Sequence, residues 1–336
     1  MTAAATRRQR LRAQRLTGPR DADPVAAVKA VFAVQAQDRR AAQLAVRART
    51  EGATADAVEA ALRHGAETTA RGGGLVRTWA MRGTLHLLAA DDLATVLAIY
   101  GPLHLRRGRR RLTELGLAPD AAERSTELAA EIVRADGPLT RHELAARLRE
   151  RGVPVAAAGQ APIHVVARAA HAGALIEVGD GVYGPLELAP LPDREAALVT
   201  LARRYAAGHA PATVEDFAAW SGLPKADLRW GEPELAGEEE GGIRLLPAFD
   251  EWLLGWKSRA LILPPDHAKR VAPGGGIIRP VAIADGRVFA TWRLDRPGRR
   301  VEVDAFGRVT KAMRTGIEDE VAALGAFLGT CLSLQL

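Results

Sequence analysis

The hydrophobic pattern changes character along this chain of 336 residues. As far as about residue 242, apolar positions recur every three to four residues, which is the spacing of helices with one buried face. In the first third this spacing predicts several helices that precede a short apolar strand at Thr84–Leu88. The predicted helices are Arg7–Leu16, Pro24–Val34, Arg39–Arg49 and Ala55–His64.

The middle of the chain holds the clearest succession of elements. Arg124–Ala135 is apolar along one side and is followed by a Gly-Pro pair, after which Thr140 precedes a helix at Arg141–Arg151. Glu143 stands at the third position of that helix, where it completes a capping box with Thr140. A helix at Ile163–Ala172 then leads into two short strands around a Gly-Asp-Gly turn. Three helices followed by a hairpin is the order of a winged helix-turn-helix, a DNA-binding module.

Parts of this order recur on either side of the central module. Downstream, the pattern predicts helices at Glu195–Ala207, at Val214–Ser221 with Thr213 as its cap, and at Leu223–Trp230. The simplest interpretation is a tandem of winged-helix modules, although helical hairpins that only pack on one another are the alternative. The three modules would be residues 1–118, 119–190 and 191–242.

Beyond residue 242, short apolar segments separated by turns replace the helical spacing. They predict a β-rich domain at residues 243–336 that resembles a barrel and ends in a helix at Ile317–Leu328. The expected fold class is therefore α+β, with tandem winged helix-turn-helix modules followed by a β-barrel-like domain. The predicted strands are Ile243–Leu246, Val281–Ile283, Val288–Trp292 and Arg300–Val303.

Composition narrows the class of protein. Hydrophobic residues make up 48% of the chain, which is enough for real cores, and the one cysteine, Cys331, excludes a disulfide framework. No apolar run approaches the length of a membrane span and no signal sequence precedes the first helix, so we expect a soluble, cytoplasmic protein and a monomer. Aromatic residues make up only 4%, which argues against an aromatic pocket for a flipped base.

The basic charge is carried almost entirely by arginine. The net charge is +6, and 41 arginines stand against five lysines. The arginine fork suits phosphates, so the excess favours a nucleic-acid partner, while a GC-rich genome would produce the same bias through its codons. Two clusters support the first interpretation, unless each is only a solvated helix face. One cluster comprises Arg7, Arg8, Arg10, Arg12 and Arg15, and the other Arg106, Arg107, Arg109, Arg110 and Arg111.

The most informative segment is Gln35-Ala36-Gln37. Residues two apart share a face when the backbone is extended but not when it is helical. If one helix stops here and Asp38 caps the next, the two carboxamides can converge on a water molecule or a polar ligand. Ordinary solvated glutamines between two helices are the alternative.

Three further segments carry candidate DNA-binding cations. Trp79–Leu87 places Arg82 just before a predicted strand, and Leu246–Arg259 combines acids and tryptophans with Lys257 and Arg259. For the second segment the alternative is an interdomain seam with internal salt bridges. The third, Pro264–Gly276, ends in three glycines, which predicts a mobile basic loop. Its candidate cations are His267, Lys269 and Arg270.

Signatures of common enzyme classes are missing from the sequence. There is no phosphate-binding GxxxxGK[ST], GxGxxG, GxSxG or HExxH, so no cofactor is expected. The eight histidines show no ligand spacing with carboxylates or cysteines, and we expect no metal site.

Taken in order, the Gln-Ala-Gln, Trp79–Leu88 and Phe249–Arg259 segments resemble the AlkZ-like winged-helix DNA glycosylases along nearly the whole chain. The resemblance implies three tandem winged-helix modules in a C-shaped arrangement with a β-barrel. It also implies excision of bulky or crosslinked N7-alkylpurines, with Gln35 and Gln37 as the catalytic pair. Some members protect antibiotic producers from their own DNA-alkylating product. The double-glutamine form is similar to the branch that unhooks interstrand crosslinks.

The sequence therefore predicts a monofunctional DNA glycosylase whose partner is double-stranded DNA carrying alkylated purines. Gln35 and Gln37 would hold the attacking water and stabilise the sugar cation. The rivals are a winged-helix transcriptional regulator without enzymatic activity and a protein that sequesters a DNA-reactive antibiotic. The predicted DNA contacts are Arg82, Lys257, Arg259, His267, Lys269 and Arg270.

Overall fold

Contacts within the chain divide it into two units, and the chain has a mixed α+β fold that is 51% helix. The first unit comprises residues 1–59 and 202–336, and the second comprises residues 60–201. The computed structural model describes residues 1–20, 22–69, 71–231, 235, 237, 239, 241–295 and 298–336. None of the helices in this part of the chain is long and apolar enough to cross a membrane.

The first unit begins with three helices and a short strand. Helix α2 starts at Pro24 behind the capping side chain of Asp23 but ends at Val31, three residues before the predicted end at Val34. It stops there because Phe32 has a positive φ of 67°, which no α-helix can continue. These elements are α1 (Ala3–Ala13), α2 (Pro24–Val31), β1 (Ala33–Gln35) and α3 (Arg39–Arg49), and α3 has the predicted bounds.

The chain enters the second unit within α4 (Ala55–Glu67). Strands β2 (Leu75–Trp79) and β3 (Leu85–Ala89) then form an antiparallel hairpin, which confirms the strand predicted at Thr84–Leu88. Helix α5 (Leu93–Glu114) follows and contains Pro102 in its interior. The hydrophobic pattern did not predict α5, because a proline normally ends a helix.

The centre of the second unit has the predicted winged-helix order. Thr140 and Glu143 form both hydrogen bonds of the capping box at the start of α7. The strands form one antiparallel sheet in the order β4-β6-β5. The elements are α6 (Pro119–Ala135), β4 (Leu139–Thr140), α7 (Arg141–Glu150), α8 (Ala161–His171), β5 (Leu175–Gly179) and β6 (Val182–Pro185).

The core of the second unit is built from the apolar faces of these helices. Leu144, Leu148 and Val165 are almost fully buried there, together with Trp79 from the end of β2. The helical spacing of apolar positions produced this core, since each helix contributes one stripe.

The chain returns to the first unit within α9 (Arg194–His209), and α10 (Val214–Ser221) begins at the predicted cap, Thr213. The helix predicted at Leu223–Trp230 is wrong. Only one 3₁₀ turn forms, at Lys225–Asp227, because none of its residues is buried and the backbone becomes extended again directly after it.

The C-terminal part of the first unit is a five-stranded sheet that curls into half a barrel, as predicted. Its strand order is β11-β10-β9-β8-β7, antiparallel except for the last strand, which pairs parallel to β10. Leu246, Val281 and Ile283 join its apolar core. The elements are β7 (Ile243–Leu246), α11 (Glu251–Leu254), α12 (Ala268–Val271), β8 (Val281–Ala284), β9 (Arg287–Leu294), β10 (Arg300–Ala305), α13 (Lys311–Leu328) and β11 (Ser333–Gln335).

The division into three winged-helix modules and a barrel domain at the predicted boundaries stays a prediction.

Candidate functional site

The two glutamines lie where the sequence predicts them, between the end of α2 and the start of α3. Gln35 is the last residue of β1 and is half-buried, Ala36 is fully buried, and Gln37 is exposed. The extended strand ends at Gln35, and Gln37 stands in the bend just before the Asp38 cap of α3. The convergence of the two amides and their catalytic role both stay predictions.

Phe32, just before β1, anchors this segment in the core. Its side chain is fully buried and meets the ring of Trp220 edge-on, with 6.1 Å between ring centroids. The guanidinium of Arg204 lies 5.4 Å from the centroid of the Phe32 ring and donates a hydrogen bond to the carbonyl of Lys29 at 3.0 Å. A non-glycine residue with positive φ costs about 1–3 kcal/mol, and this packing holds Phe32 in place in spite of that cost.

At the start of α3, the charged side chains of Asp38 and Arg39, which follow the glutamines, have partners. Asp38 caps the helix, with its Oδ1 accepting from the N–H of Ala41 at 3.0 Å. Arg39 donates through Nε to Glu59 at 3.0 Å, and Gln43 donates to the same carboxylate. The positive charge nearest to Gln37 along the chain is therefore paired, which suits a site that must tolerate a cation.

The Trp79–Leu87 segment lies in the second unit. Trp79 ends β2 and stacks on Tyr183 with 6.2 Å between ring centroids. One 3₁₀ turn at Met81–Gly83 leads into β3, and within it Arg82 is half-buried with a positive φ of 55°. Arg82 lines a cavity of the second unit that the sequence did not predict.

The Phe249–Arg259 segment lies in the first unit and holds much of its buried charge. The side chains of Arg49 and Asp250 are both fully buried and are joined by two hydrogen bonds of 2.8 Å. Glu251 is also fully buried and accepts from the indole N–H of Trp220 at 2.9 Å. These pairs support internal salt bridges, the alternative interpretation of this segment.

The two candidate cations of this segment differ in their surroundings. Lys257 is exposed, and its backbone N–H donates to the carboxylate of Asp216 at 3.0 Å. Arg259 is half-buried and donates through Nε to the carbonyl of Leu253 at 2.6 Å, and its burial lowers its pKa. Arg259 is therefore placed to stabilise its own segment, whereas Lys257 faces solvent.

The prediction of a mobile loop at Pro264–Gly276 is wrong for most of its length. A 3₁₀ turn at Pro265–His267 runs directly into α12, which ends at the fully buried Val271. The apolar anchor explains the difference, because one buried side chain fixes the whole turn of helix. Pro264, Ala272, Pro273 and the three glycines at its end lie outside helix.

The cations of this segment lie on its outer side. Lys269 is exposed, and His267 packs on the ring of Phe306 with 4.4 Å between ring centroids. Arg270 lies over the same ring at 4.4 Å and pairs with Asp304 at 2.7 Å. Of the three, Lys269 is the most accessible to a phosphate.

The two arginine clusters have different environments. The arginines of α1 point into the first unit, where Arg10 donates to the carbonyl of Pro211 at 2.8 Å and Arg8 pairs with Asp285 at 3.2 Å. In the second cluster, Arg106, Arg107, Arg109 and Arg110 are exposed on α5. A winged-helix order in the same unit as an arginine-rich helix is typical of a DNA-binding protein.

Comparison with known proteins identifies a family within the class of DNA-binding proteins. The sequence profile of the family described as "DNA glycosylase AlkZ-like" matches residues 28–239 and 229–327. The chain therefore belongs to the AlkZ-like family of DNA glycosylases.

A sequence match and a structural match both come from Streptomyces sahachiroi. One is an interstrand DNA cross-link repair glycosylase, 28% identical over 269 residues, which cover 66% of this chain and 70% of that protein. The other is the solved structure of the S. sahachiroi DNA glycosylase AlkZ, with a TM-score of 0.78 and 24% identity over 100% of this chain and 99% of that one. This likeness shows that the fold is shared along the whole chain, as predicted.

Proposed function

We propose that this protein is a monofunctional DNA glycosylase that hydrolyses the N-glycosidic bond of N7-alkylated purines, including purines joined in interstrand crosslinks. The observation that carries the proposal is the placement of Gln35 at the end of β1 and of Gln37 two residues later, between the buried Phe32 and the Asp38 cap of α3. Membership of a glycosylase family disfavours the two non-enzymatic rivals, the transcriptional regulator and the antibiotic-sequestering protein.

The chemistry of the substrate explains why two carboxamides suffice for catalysis without a general acid. Alkylation at N7 leaves the purine positively charged, so it departs without protonation by a general acid. The enzyme then has to stabilise an oxocarbenium-like sugar and deliver water to it. Carboxamide oxygens of Gln35 and Gln37 can accept hydrogen bonds from that water and direct their negative ends towards the developing cation.

The charges beside the glutamines fit a cationic transition state. The N-terminus of α3 carries partial positive charge, which the carboxylate of Asp38 offsets. Glu59 likewise offsets Arg39, which is two residues after Gln37. Amides bring no charge of their own, so a cationic base can leave without an opposing carboxylate that would hold it.

DNA would be held by exposed and half-buried cations of both units. In the second unit these are Arg82 and the arginines of α5, and in the first unit Lys257, His267, Lys269 and Arg270. Of the predicted DNA contacts, Arg259 is the least suited to bind a phosphate, because its Nε–H already donates to a backbone carbonyl. The cellular role that follows is repair of alkylated DNA in the cytoplasm, in general or as protection of a producer of an alkylating antibiotic.

The first test is substitution of the glutamines. Gln37→Ala should slow release of N7-methylguanine from DNA by about 10²–10³-fold, the effect of removing one group that stabilises the transition state. Gln35→Ala should also slow it, and DNA affinity should stay nearly unchanged in both variants. Gln335→Ala, in an exposed residue of β11, is the matched control. Full activity in the double variant would exclude the proposed site.

The second test concerns the substrate class. An enzyme that depends on a charged leaving group should release N7-alkylguanine and unhook a nitrogen-mustard crosslink but leave uracil and 8-oxoguanine in place. Its product should be an abasic site, and borohydride should trap no covalent adduct because no amine nucleophile takes part. Efficient uracil excision or a trapped adduct would contradict this chemistry even if the glutamines prove essential.

A further inference from the structure

A cavity of about 390 Å³ lies in the second unit between α5, α8 and the turn Met81–Gly83. Its volume falls within the range of about 300–1,000 Å³ that is typical of pockets for small molecules. Each helix contributes residues at spacings of three, four and seven, so that one face of each lines the cavity. These residues are His104, Arg107, Gly108 and Arg111 on α5, and His164, Ala167, Arg168 and His171 on α8.

The two helices approach closely at one point because α5 has a glycine there. A Cβ on Gly101 would lie 2.7 Å from the backbone oxygen of His171, which is closer than a real side chain tolerates. This contact brings the ring of His171 to 4.6 Å from the ring of His104, measured between centroids. The cavity is therefore a built feature of the α5–α8 packing.

The floor of the cavity is aromatic and uncharged. Trp79 lies 6.5 Å from His171 between ring centroids, and both His104 and Trp79 are largely buried. Burial lowers the pKa of His104 and lowers that of His171 to about 3, so both imidazoles are neutral at physiological pH. The prediction that no aromatic pocket exists did not anticipate this floor, which is assembled from one strand and two helices.

Hydrogen bonding defines one polar group on the floor. Nε2 of His104 lies 2.9 Å from the carbonyl oxygen of Ala80, so this nitrogen carries the proton and donates it. Nδ1 is then an acceptor, and it lies beside Gly83, where an added Cβ would stand 3.7 Å away. A ligand that stacks on the floor can donate a hydrogen bond to this nitrogen.

The rim of the cavity is cationic. None of the described residues that line it is acidic, and four are arginines: Arg82, Arg107, Arg111 and Arg168. Two of them are partly engaged, Arg111 with Glu114 and Gln160, and Arg168 with the carbonyl of Ala122. Arg107 is exposed and forms no ion pair with any residue in the described part of the chain. After burial, the positive charge of Arg107 is a further cause of the lowered pKa of His104.

We propose that this cavity binds one nucleotide, with its base against Trp79 and His171 and its phosphate at Arg107. Bases stack on aromatic faces, and the guanidinium fork matches a phosphate with two parallel hydrogen bonds. A positive rim around a neutral floor disfavours cationic ligands and selects a planar group that carries negative charge. The nucleotide is either part of a DNA strand or free in solution. The proposal does not depend on the catalytic role of the glutamines.

The test measures nucleotide binding by isothermal titration calorimetry. The full-length protein is titrated with dGMP, with deoxyguanosine, and with a single-stranded hexanucleotide. Arg107→Gln removes the proposed phosphate contact, and Arg134→Gln, an exposed arginine of α6 in the same unit that does not line the cavity, is its matched control. Gly108→Trp fills the cavity, since a Cβ at Gly108 meets no atom within 4 Å and the larger side chain can enter without displacing the helix.

We expect dGMP or the hexanucleotide to bind more tightly than deoxyguanosine. Arg107→Gln should weaken binding by about 10-fold or more, the effect of removing one charge-assisted hydrogen bond, while Arg134→Gln should not change it. Gly108→Trp should abolish it. Binding of the hexanucleotide alone identifies a strand nucleotide as the occupant, and binding of dGMP identifies a free one.

Three results would overturn the proposal. The first is absence of binding for both dGMP and the hexanucleotide at millimolar concentration. The second is equal weakening by Arg134→Gln and Arg107→Gln, which would mean a diffuse positive surface without a site. The third is unchanged affinity in Gly108→Trp. If this variant does not fold, as judged by circular dichroism, the comparison of Arg134 with Arg107 still decides the outcome.

Discussion

The arginines of α1 and those of α5 look alike in sequence but differ in the structure. Arginines of α1 contact distant parts of the chain, whereas most of those on α5 are exposed to solvent. Arg10 in α1 is largely buried, donates to a backbone carbonyl some two hundred residues away, and lies 4.3 Å over the ring of Trp256. Arg110 on α5 is exposed, and its partner Glu114 is one turn along the same helix. The difference shows that an arginine cluster predicts a basic surface only where the arginines face away from the elements that their helix packs against.

Buried and exposed arginines also differ in how much their ion pairs contribute to stability. Buried arginines that pair with a carboxylate give up their hydration, so removal of one partner leaves a charge without compensation. Exposed pairs contribute little, because water and salt screen them. The protein should therefore lose stability when its buried arginines are changed, whereas changes in the exposed arginines of α5 should reduce only its affinity for DNA.

The largest effect is expected at Arg49. Arg49→Ala would strand the fully buried carboxylate of Asp250 and should lower the free energy of unfolding by about 3–5 kcal/mol. Urea denaturation measures the change. The control is Arg110→Ala, which breaks the exposed pair with Glu114 and should leave the unfolding midpoint almost where it is in the wild type. Equal losses of stability in the two variants would contradict the contrast between buried and exposed arginines.

An intermediate effect is expected at Glu320, which accepts from Arg47 at 2.9 Å and from the N–H of Leu245 at 2.8 Å. Burial alone would raise the pKa of Glu320, but the charges of Arg47 and Arg244 outweigh it and lower that pKa below its ordinary value. The stabilisation is therefore present above the pKa of the unfolded carboxyl, about 4.3, and is lost as pH falls through the lower pKa of the folded state.

Glu320→Gln should accordingly destabilise the protein by about 1.5–3 kcal/mol at pH 7, and the difference from the wild type should shrink on acidification. Unfolding free energies measured between pH 7 and pH 3 give the result. A difference that stays constant over this range would show that the charge of Glu320 does not stabilise the fold.

The smallest effect on stability is expected on α5. Replacement of the four exposed arginines by glutamine should change the free energy of unfolding by no more than about 0.5 kcal/mol. The same variant should bind DNA with a flatter salt dependence, by about 0.9 in slope for each phosphate that it no longer neutralises. Affinities measured at several salt concentrations would reveal this, and an unchanged slope would exclude α5 from the DNA interface. The four positions are Arg106, Arg107, Arg109 and Arg110.

Local chemistry explains which parts of the fold the sequence predicted. Asp38, Thr140 and Thr213 cap the helices expected of them, because a capping side chain acts within three residues of itself. The position of Gln-Ala-Gln between two helices was predictable for the same reason, since one helix had to end and the next had to be capped within a few residues.

Long-range packing explains the misses. Helix α5 runs through Pro102, and α12 forms in a glycine-flanked segment because Val271 is buried. The cavity of the second unit is lined from three separate stretches of chain, and no stretch alone indicates a pocket. One signal lay in the sequence, the matching three-, four- and seven-residue spacing of histidine and arginine on two helices, from His104 to Arg111 and from His164 to His171.

Phe32 has a consequence for the timing of events at the proposed active site. A residue held at positive φ by contacts with Trp220 and Arg204 leaves the strand that follows few alternative paths, so the backbone that leads to Gln35 is fixed before any DNA arrives. Immobilising a rotamer-rich side chain on binding costs about 0.5–1.5 kcal/mol in entropy. An enzyme whose amides are ordered in advance loses less of that entropy in the reaction. The rigid backbone at Phe32, one residue before β1, then contributes to the rate.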